Sequence, residues 1–148
     1  MLYRNVLAAV CLLCVVSCQG DLSRGFGGHI NWKSLDAGLQ AAKTSGKPLM
    51  VLIHKSYCAA CHELSPKFAA SPEIAELAPK FEMVNISDDE EPQDPKYAPD
   101  GDYVPRILYF GPQGEPKSQV FNAKSPQVYR HYYYDVPSIV QAMKSALN

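Results

Sequence analysis

Hydrophobic and polar positions along the chain change period several times, and each change marks an element. Leu35, Leu39 and Ala42 recur at helical spacing behind Ser34, a residue type that caps helices. Asp36 falls in the first turn, where a carboxylate complements the helix dipole, and Gly46 and Pro48 end the helix. Leu49-Met-Val-Leu-Ile53 is a continuous apolar run, too short for a buried helix and suited to a central strand covered on both faces. Glu63 to Ala70 returns to helix, with Pro66 predicting a kink. Ser71-Pro72-Glu73 then supplies cap, first-position proline and acid for another helix. Phe81–Ile86, Arg106–Phe110 and Gln119–Phe121 read as further strands, the last two joined into a hairpin through Gly111-Pro-Gln-Gly114. Ile139, Val140, Met143 and Leu147 line one face of a closing helix over Pro137–Leu147. With no internal repeat, this order predicts a small α/β domain.

The chain opens on a different pattern. Arg4 precedes the eleven-residue apolar run Val6–Val16, shorter than the about twenty residues a membrane-spanning helix needs. A basic start, a short apolar run and small residues after it predict a cleaved secretory signal over residues 1–20 and no transmembrane segment. Val15-Val-Ser-Cys18 also fits a bacterial lipoprotein box, so anchoring at Cys18 is the alternative. Residues 21–148 remain as one domain. Within it, Asn85-Ile-Ser87 is a glycosylation sequon at the end of a predicted strand.

Composition narrows the function classes. The 148 residues carry 14 Lys and Arg against 15 Asp and Glu, so no basic excess favours nucleic acid. Seven of the fifteen acids fall in residues 88–102, interrupted by Pro92, Pro95 and Pro99. They lack the ordered oxygen spacing of a calcium loop and read as a solvated excursion. The run Tyr129-Arg-His-Tyr-Tyr-Tyr134 reads as packing over a sheet edge.

Of five cysteines, Cys11, Cys14 and Cys18 belong to the leader, leaving Cys58 and Cys61 for the body. In an oxidising compartment such a pair is a structural bridge or an active dithiol. A bridge across two intervening residues constrains the unfolded chain little, which favours the functional reading.

Three chemistries use this spacing. In a dithiol centre the first cysteine sits at a helix N-terminus, where free N–H groups and the helix dipole stabilise its thiolate. Cys58 is then the nucleophile and Cys61 the resolving thiol, with His54, Lys55 and His62 adding positive character that lowers the thiol pKa. Cys58-Ala-Ala-Cys61-His62 also matches c-type haem attachment, with His62 as axial ligand. The strand just before the motif and Pro66 early in the helix weigh against it. A zinc site would draw on Cys58, Cys61, His62 and His54, but no second CxxC accompanies them. The dithiol reading expects no metal and no cofactor, with glutathione as a redox partner.

The chain resembles the thioredoxin superfamily at the strand Leu49–Ile53 leading into Tyr57-Cys-Ala-Ala-Cys61, at Pro66, at Val104-Pro105 before the strand Arg106–Phe110, and at the Gly111–Gly114 turn. It is most similar to the small single-domain thioredoxin domain-containing and anterior gradient group of the endoplasmic reticulum. That likeness rests on Gly25-Phe-Gly-Gly-His-Ile-Asn-Trp32, Lys47-Pro-Leu-Met50, Ile53-His-Lys-Ser56, Asp88-Asp-Glu-Glu-Pro92, and Pro99-Asp-Gly101 with Tyr103-Val-Pro-Arg-Ile107. The resemblance covers about residues 24–116.

It implies a thioredoxin fold, a central mixed sheet flanked by helices, with an acidic proline-containing insertion over about 87–103 before a cis-proline at Pro105. It implies a protein thiol–disulfide oxidoreductase acting on secretory or membrane client proteins, with Val104, Pro105 and Tyr57 at the client-binding surface. A client-binding quality-control module that captures partners through its cysteines is the alternative. Tyr57 stands where the group usually has Trp, and Leu52 where many thioredoxins bury an acid that moves the resolving cysteine's proton. The last residues, Ser145-Ala-Leu-Asn148, carry no retention tetrapeptide of the Lys-Asp-Glu-Leu type, so the endoplasmic reticulum lumen or secretion is expected.

Overall fold

β2 (Leu49–His54) runs through the middle of a four-stranded sheet, and all six of its residues are buried. Alternation sends Leu49, Val51 and Ile53 into one core cluster and Met50 and Leu52 into the other, so both faces are covered and the run has no exposed position. β3 (Glu82–Ser87) pairs with it in parallel and β4 (Arg106–Phe110) antiparallel. The two-residue β1 (Trp32–Lys33) lies parallel beyond β3, giving the order β1-β3-β2-β4. β1 is too short to leave an alternating signature; the Trp32 ring, 5.9 Å from that of Phe68, anchors it. The computed structural model describes residues 20–148, so the expected leader up to Gln19, with Cys11, Cys14 and Cys18, lies outside the described residues.

α1 (Leu35–Ser45) forms where the apolar spacing places it. Ser34 Oγ accepts from the Ala37 N–H at 3.3 Å, and Gly46 closes the helix in the left-handed region at φ 74°. Gly38 lets this helix approach β3, because a methyl group there would collide with Val84. α2 (Ala59–Ala70), α3 (Pro72–Leu77) and α4 (Val136–Ala146) contribute Leu64, Phe68, Ile74, Ile139 and Met143 to the opposite core. α2 continues through Pro66; the His62 carbonyl that loses its N–H partner there accepts instead from Ser65 Oγ at 3.4 Å. α4 begins at Val136, one residue before the expected start at Pro137, because Asp135 supplies the cap, accepting from the Ser138 N–H at 2.8 Å.

The expected strand over Gln119–Phe121 does not form. The outer edge of β4 is met at two separate points, Pro116 opposite Phe110 and Tyr132 opposite Arg106. The Lys117 N–H donates to Tyr109 O at 2.9 Å, and the Ile107 N–H to His131 O at 3.0 Å. Between them the chain turns away through the bond from Val120 N–H to Lys117 O, and Val120 enters the core from a turn. The tyrosine run fills the far end of this edge: Tyr133 is fully buried, while Tyr129 and Tyr134 are half exposed.

The acidic segment between β3 and β4 is tied down, which corrects the expectation of a solvated excursion. Arg106, fully buried at the start of β4, donates from Nε to Tyr97 O at 3.0 Å, from Nη1 to Tyr103 O at 2.6 Å, and from Nη2 to Glu91. Glu91 also pairs with Lys55 at 2.6 Å. Glu90 pairs with Arg24 at 2.5 Å, and Asp100 accepts from the Tyr103 hydroxyl at 2.7 Å and the Arg130 N–H at 2.7 Å. A loop organised around one buried guanidinium explains why a charge follows Pro105 in an otherwise apolar strand. Among the described residues no helix is long and apolar enough to cross a membrane.

Candidate functional site

β2 ends at His54, and four residues later Cys58 caps α2, so the CxxC occupies the junction of a central strand and a helix N-terminus. Cys58 and Cys61 form a disulfide with their Cα atoms 5.2 Å apart. Cys58 Sγ accepts from the Cys61 N–H at 3.1 Å, which puts the first sulfur on the positive end of the helix. Cys61, one turn in, is the more deeply buried of the two. Tyr57 beside Cys58 is 81% exposed.

The approach to the motif is held from two sides. The Cys58 N–H donates to Lys55 O at 3.1 Å, and the His62 Nε2–H donates to Ser56 O at 2.7 Å. Asp88 from the acidic segment accepts the Ser56 N–H on Oδ1 at 2.9 Å, while its backbone carbonyl accepts from Lys55 Nζ at 2.8 Å. The Ser56 bond holds the Asp88 carboxyl below its usual range, against the smaller opposing effect of desolvation. In this state the two sulfurs are bonded to each other, and the His62 ring is bonded to Ser56 O.

The three residues expected to lend positive charge behave differently from one another. His54 is buried, and desolvation lowers its pKa despite the opposing hydrogen bond to Asn85, so it is held neutral. That corrects the expectation that it adds positive character. Lys55 shares Glu91 with Arg106. Burial alone would raise the Glu91 carboxyl; Lys55 and Arg106 outweigh it and hold the carboxyl below the ordinary value. His62 stays exposed on α2.

Asn85 is corrected as a glycosylation acceptor. Its side chain is buried, its Nδ2 donates to Ser23 O at 3.1 Å, and its Oδ1 lies 2.7 Å from His54 Nε2. A glycan on Nδ2 has no room in this fold. The Val104–Pro105 peptide bond is cis, immediately before β4, and neither the N–H nor the carbonyl of Val104 has a hydrogen-bond partner among the described residues.

Sequence reasoning misses Glu91, Arg106 and Asn85 as parts of this neighbourhood. For Arg106 the signal was present: a charge inside a buried strand requires a counter-charge, and the acidic segment is the nearest source. For Asn85, alternation from the buried neighbours Val84 and Ile86 already argues for an enclosed strand.

Residues 31–112 match the thioredoxin-like family model. Anterior gradient protein 3 of Mus musculus is 38% identical over 128 residues, covering 85% of this chain and 76% of that protein. Anterior gradient protein 2 homolog of Homo sapiens is 34% identical over 127 residues, covering 85% and 71%. Among solved structures, a DsbH oxidoreductase matches with a TM-score of 0.57 at 18% identity, covering 82% of this chain and 87% of its own. A disulphide isomerase from Xylella fastidiosa Temecula1 matches with a TM-score of 0.55 at 17% identity, covering 77% and 88%. These two share the fold. With its mixed sheet, its disulfide at the start of α2 and these relatives, the chain belongs to the thioredoxin-like family, alongside anterior gradient proteins 2 and 3.

Proposed function

We propose that the protein is a thiol–disulfide oxidoreductase that exchanges disulfides with secretory-pathway client proteins through Cys58 and Cys61. The observation that carries this reading is the pair itself: a disulfide at a helix N-terminus, its first sulfur accepting a backbone N–H and its second buried one turn along. In the reducing direction the Cys58 thiolate attacks a client disulfide, forms a mixed disulfide and releases one client thiolate. Cys61 then attacks Cys58 Sγ, closes the enzyme disulfide and releases the second client thiolate. The reverse sequence oxidises a client dithiol.

Val104 offers its free N–H and carbonyl to an extended client segment, and exposed Tyr57 gives that segment an apolar surface beside the nucleophile. The leader pattern supports a secretory compartment, in the endoplasmic reticulum lumen or beyond it, where glutathione is the small-molecule redox partner.

A Cys61→Ala variant tests the reading, because it blocks resolution and leaves Cys58 free to attack. An oxidoreductase accumulates mixed disulfides with many client proteins in this variant, and a Cys58→Ala, Cys61→Ala double variant accumulates none. Capture of one or two partners by wild type and variant alike would favour the dedicated quality-control module instead.

A further inference from the structure

Cys61 must lose a proton before it can resolve a mixed disulfide, yet it is buried, and burial disfavours a thiolate. Its base is not on the neighbouring strand position, since Leu52 is apolar and fully buried. Two residues further along β2, on the same face, stands His54. His54 and Cys61 border one cavity of about 280 Å³.

The hydrogen bonds around His54 fix its tautomer. Asn85 Nδ2 donates to Ser23 O, and a carbonyl only accepts, so the Asn85 amide has one orientation. Its Oδ1 therefore meets His54 Nε2 at 2.7 Å, and that nitrogen carries the hydrogen. In the neutral ring the lone pair is then on Nδ1. Nδ1 has no partner among the described residues, and it is not one of the four unpartnered polar atoms sealed from solvent, which are on Tyr109, Arg130, His131 and Tyr133. It is therefore not sealed from solvent, and His54 is among the residues that line this cavity. The Phe26 ring, 4.9 Å away, packs against the imidazole.

Resting on the oxidoreductase reading, we propose that His54 is the base that takes the proton of Cys61 during resolution, and that Asn85 is the positioning residue that keeps Nδ1 free to do so. The cavity has room for a water to carry the proton, since a water occupies about 30 Å³ of liquid. Burial keeps the ring neutral and ready to accept, and Arg24 acts in the same direction; the Asn85 bond, Asp88 and Glu90 act against it. The other charged groups around the cavity are poor bases. Lys55 is a cation paired with Glu91, and the Asp88 carboxylate is committed to the Ser56 N–H. His62 also borders the cavity, but it is exposed and its ring is tethered through Nε2 to Ser56 O at 2.7 Å.

The step balances. The Cys61 S–H proton passes to Nδ1, the sulfur's electron pair forms the bond to Cys58 Sγ, and the Cys58–client S–S bond breaks. The client sulfur leaves as a thiolate and takes up a proton, returned from the imidazolium or supplied by solvent. The enzyme dithiol is oxidised and the client disulfide reduced.

Stopped-flow reaction of the reduced protein with dithiobis(nitrobenzoate) separates the two steps, because each releases one coloured thiolate: first by attack of Cys58, then by resolution through Cys61. In His54→Gln the first phase is expected to keep its rate. The second is expected to slow about 100-fold at neutral pH, and to recover only above the about 8.5 at which an exposed thiol ionises, because Cys61 is buried. Wild type should instead reach a plateau at or below neutral pH, and Asn85→Asp should move that inflection upward, because a carboxylate accepting the Nε2–H favours the imidazolium. A second phase with the same rate and pH profile in His54→Gln and wild type would overturn the proposal. If His54→Gln does not fold, wild type decides alone: a resolving rate still climbing through pH 9 without a plateau overturns it. Absence of the first phase in wild type would bring down the oxidoreductase reading, and this proposal with it.

Discussion

Adjacent residues in the acidic segment do different work, and their surroundings predict different costs of removal. Glu90 is half exposed where it pairs with Arg24, a geometry worth less than about 1 kcal/mol. Glu91 is enclosed between Lys55 and the fully buried Arg106. Removing it leaves a guanidinium inside the protein without a counter-charge, at a cost of about 3 kcal/mol. Urea denaturation should therefore show Glu91→Ala strongly destabilised and Glu90→Ala nearly unchanged; equal midpoints would show that Arg106 does not depend on Glu91. The charge count does not show these pairings, although Arg106 inside a buried strand points to a counter-charge in the acidic segment. The partners of these acids lie far off in sequence, with Arg24 66 residues from Glu90, so a run of like charges looks solvated until the fold closes on it. Asn85 and His54 share that limit: the sequon and the basic flank of the CxxC are local patterns, whereas the bond joining the two residues spans 31 positions.

At the scale of elements, local physics was sufficient wherever one period ran long enough. Five of the six buried residues of β2, Leu49–Ile53, appear as an apolar run, and α1 announces itself through Ser34, its apolar spacing and Gly46. The CxxC could be placed at a strand-to-helix junction for the same reason. The pattern fails where an element is brief or where burial comes without pairing. β1 has two residues, too few to carry a period. Gln119-Val-Phe121 alternates as a strand would, but Val120 reaches the core from a turn, and only the hydrogen bonds at Pro116–Lys117 and His131–Tyr132 show that the edge of β4 is shared by two separated segments. Alternation reports which side chains are buried and is silent about which backbone groups are paired. Val104 shows the same gap, because its free N–H and carbonyl beside a cis bond leave no trace in hydrophobicity.

The whole molecule carries two histidines buried in the neutral state. Desolvation lowers the pKa of both His54 and His131 from the ordinary value near 6.5. The unfolded chain then binds protons at a pH where the folded chain does not. Stability is therefore full above that value and falls as pH drops below it, until the lower folded values are passed. The same sign recurs at lower pH: Glu82, Glu90 and Glu91 have carboxyls held below 4.5, and their contribution is lost as they protonate. Thermal unfolding should show Tm declining between pH 7 and pH 5, before those carboxylates titrate, and a His54→Gln, His131→Gln double variant should flatten that limb. A wild-type Tm that stays constant across the interval would contradict the burial of neutral imidazoles.

A dithiol that exchanges with clients has a reduction potential within reach of glutathione. The protein, equilibrated in graded glutathione buffers, would have the Cys58–Cys61 disulfide quantified by mass tagging of free thiols. An exchanging centre gives a reversible two-electron transition with a midpoint between about -270 and about -120 mV, the span of known dithiol oxidoreductases. A value at or above about -210 mV would suit formation or isomerisation of client disulfides in the lumen, and a lower one their reduction. A pair that stays oxidised in every buffer, with a potential below about -300 mV, would be a structural bridge and would contradict the central claim.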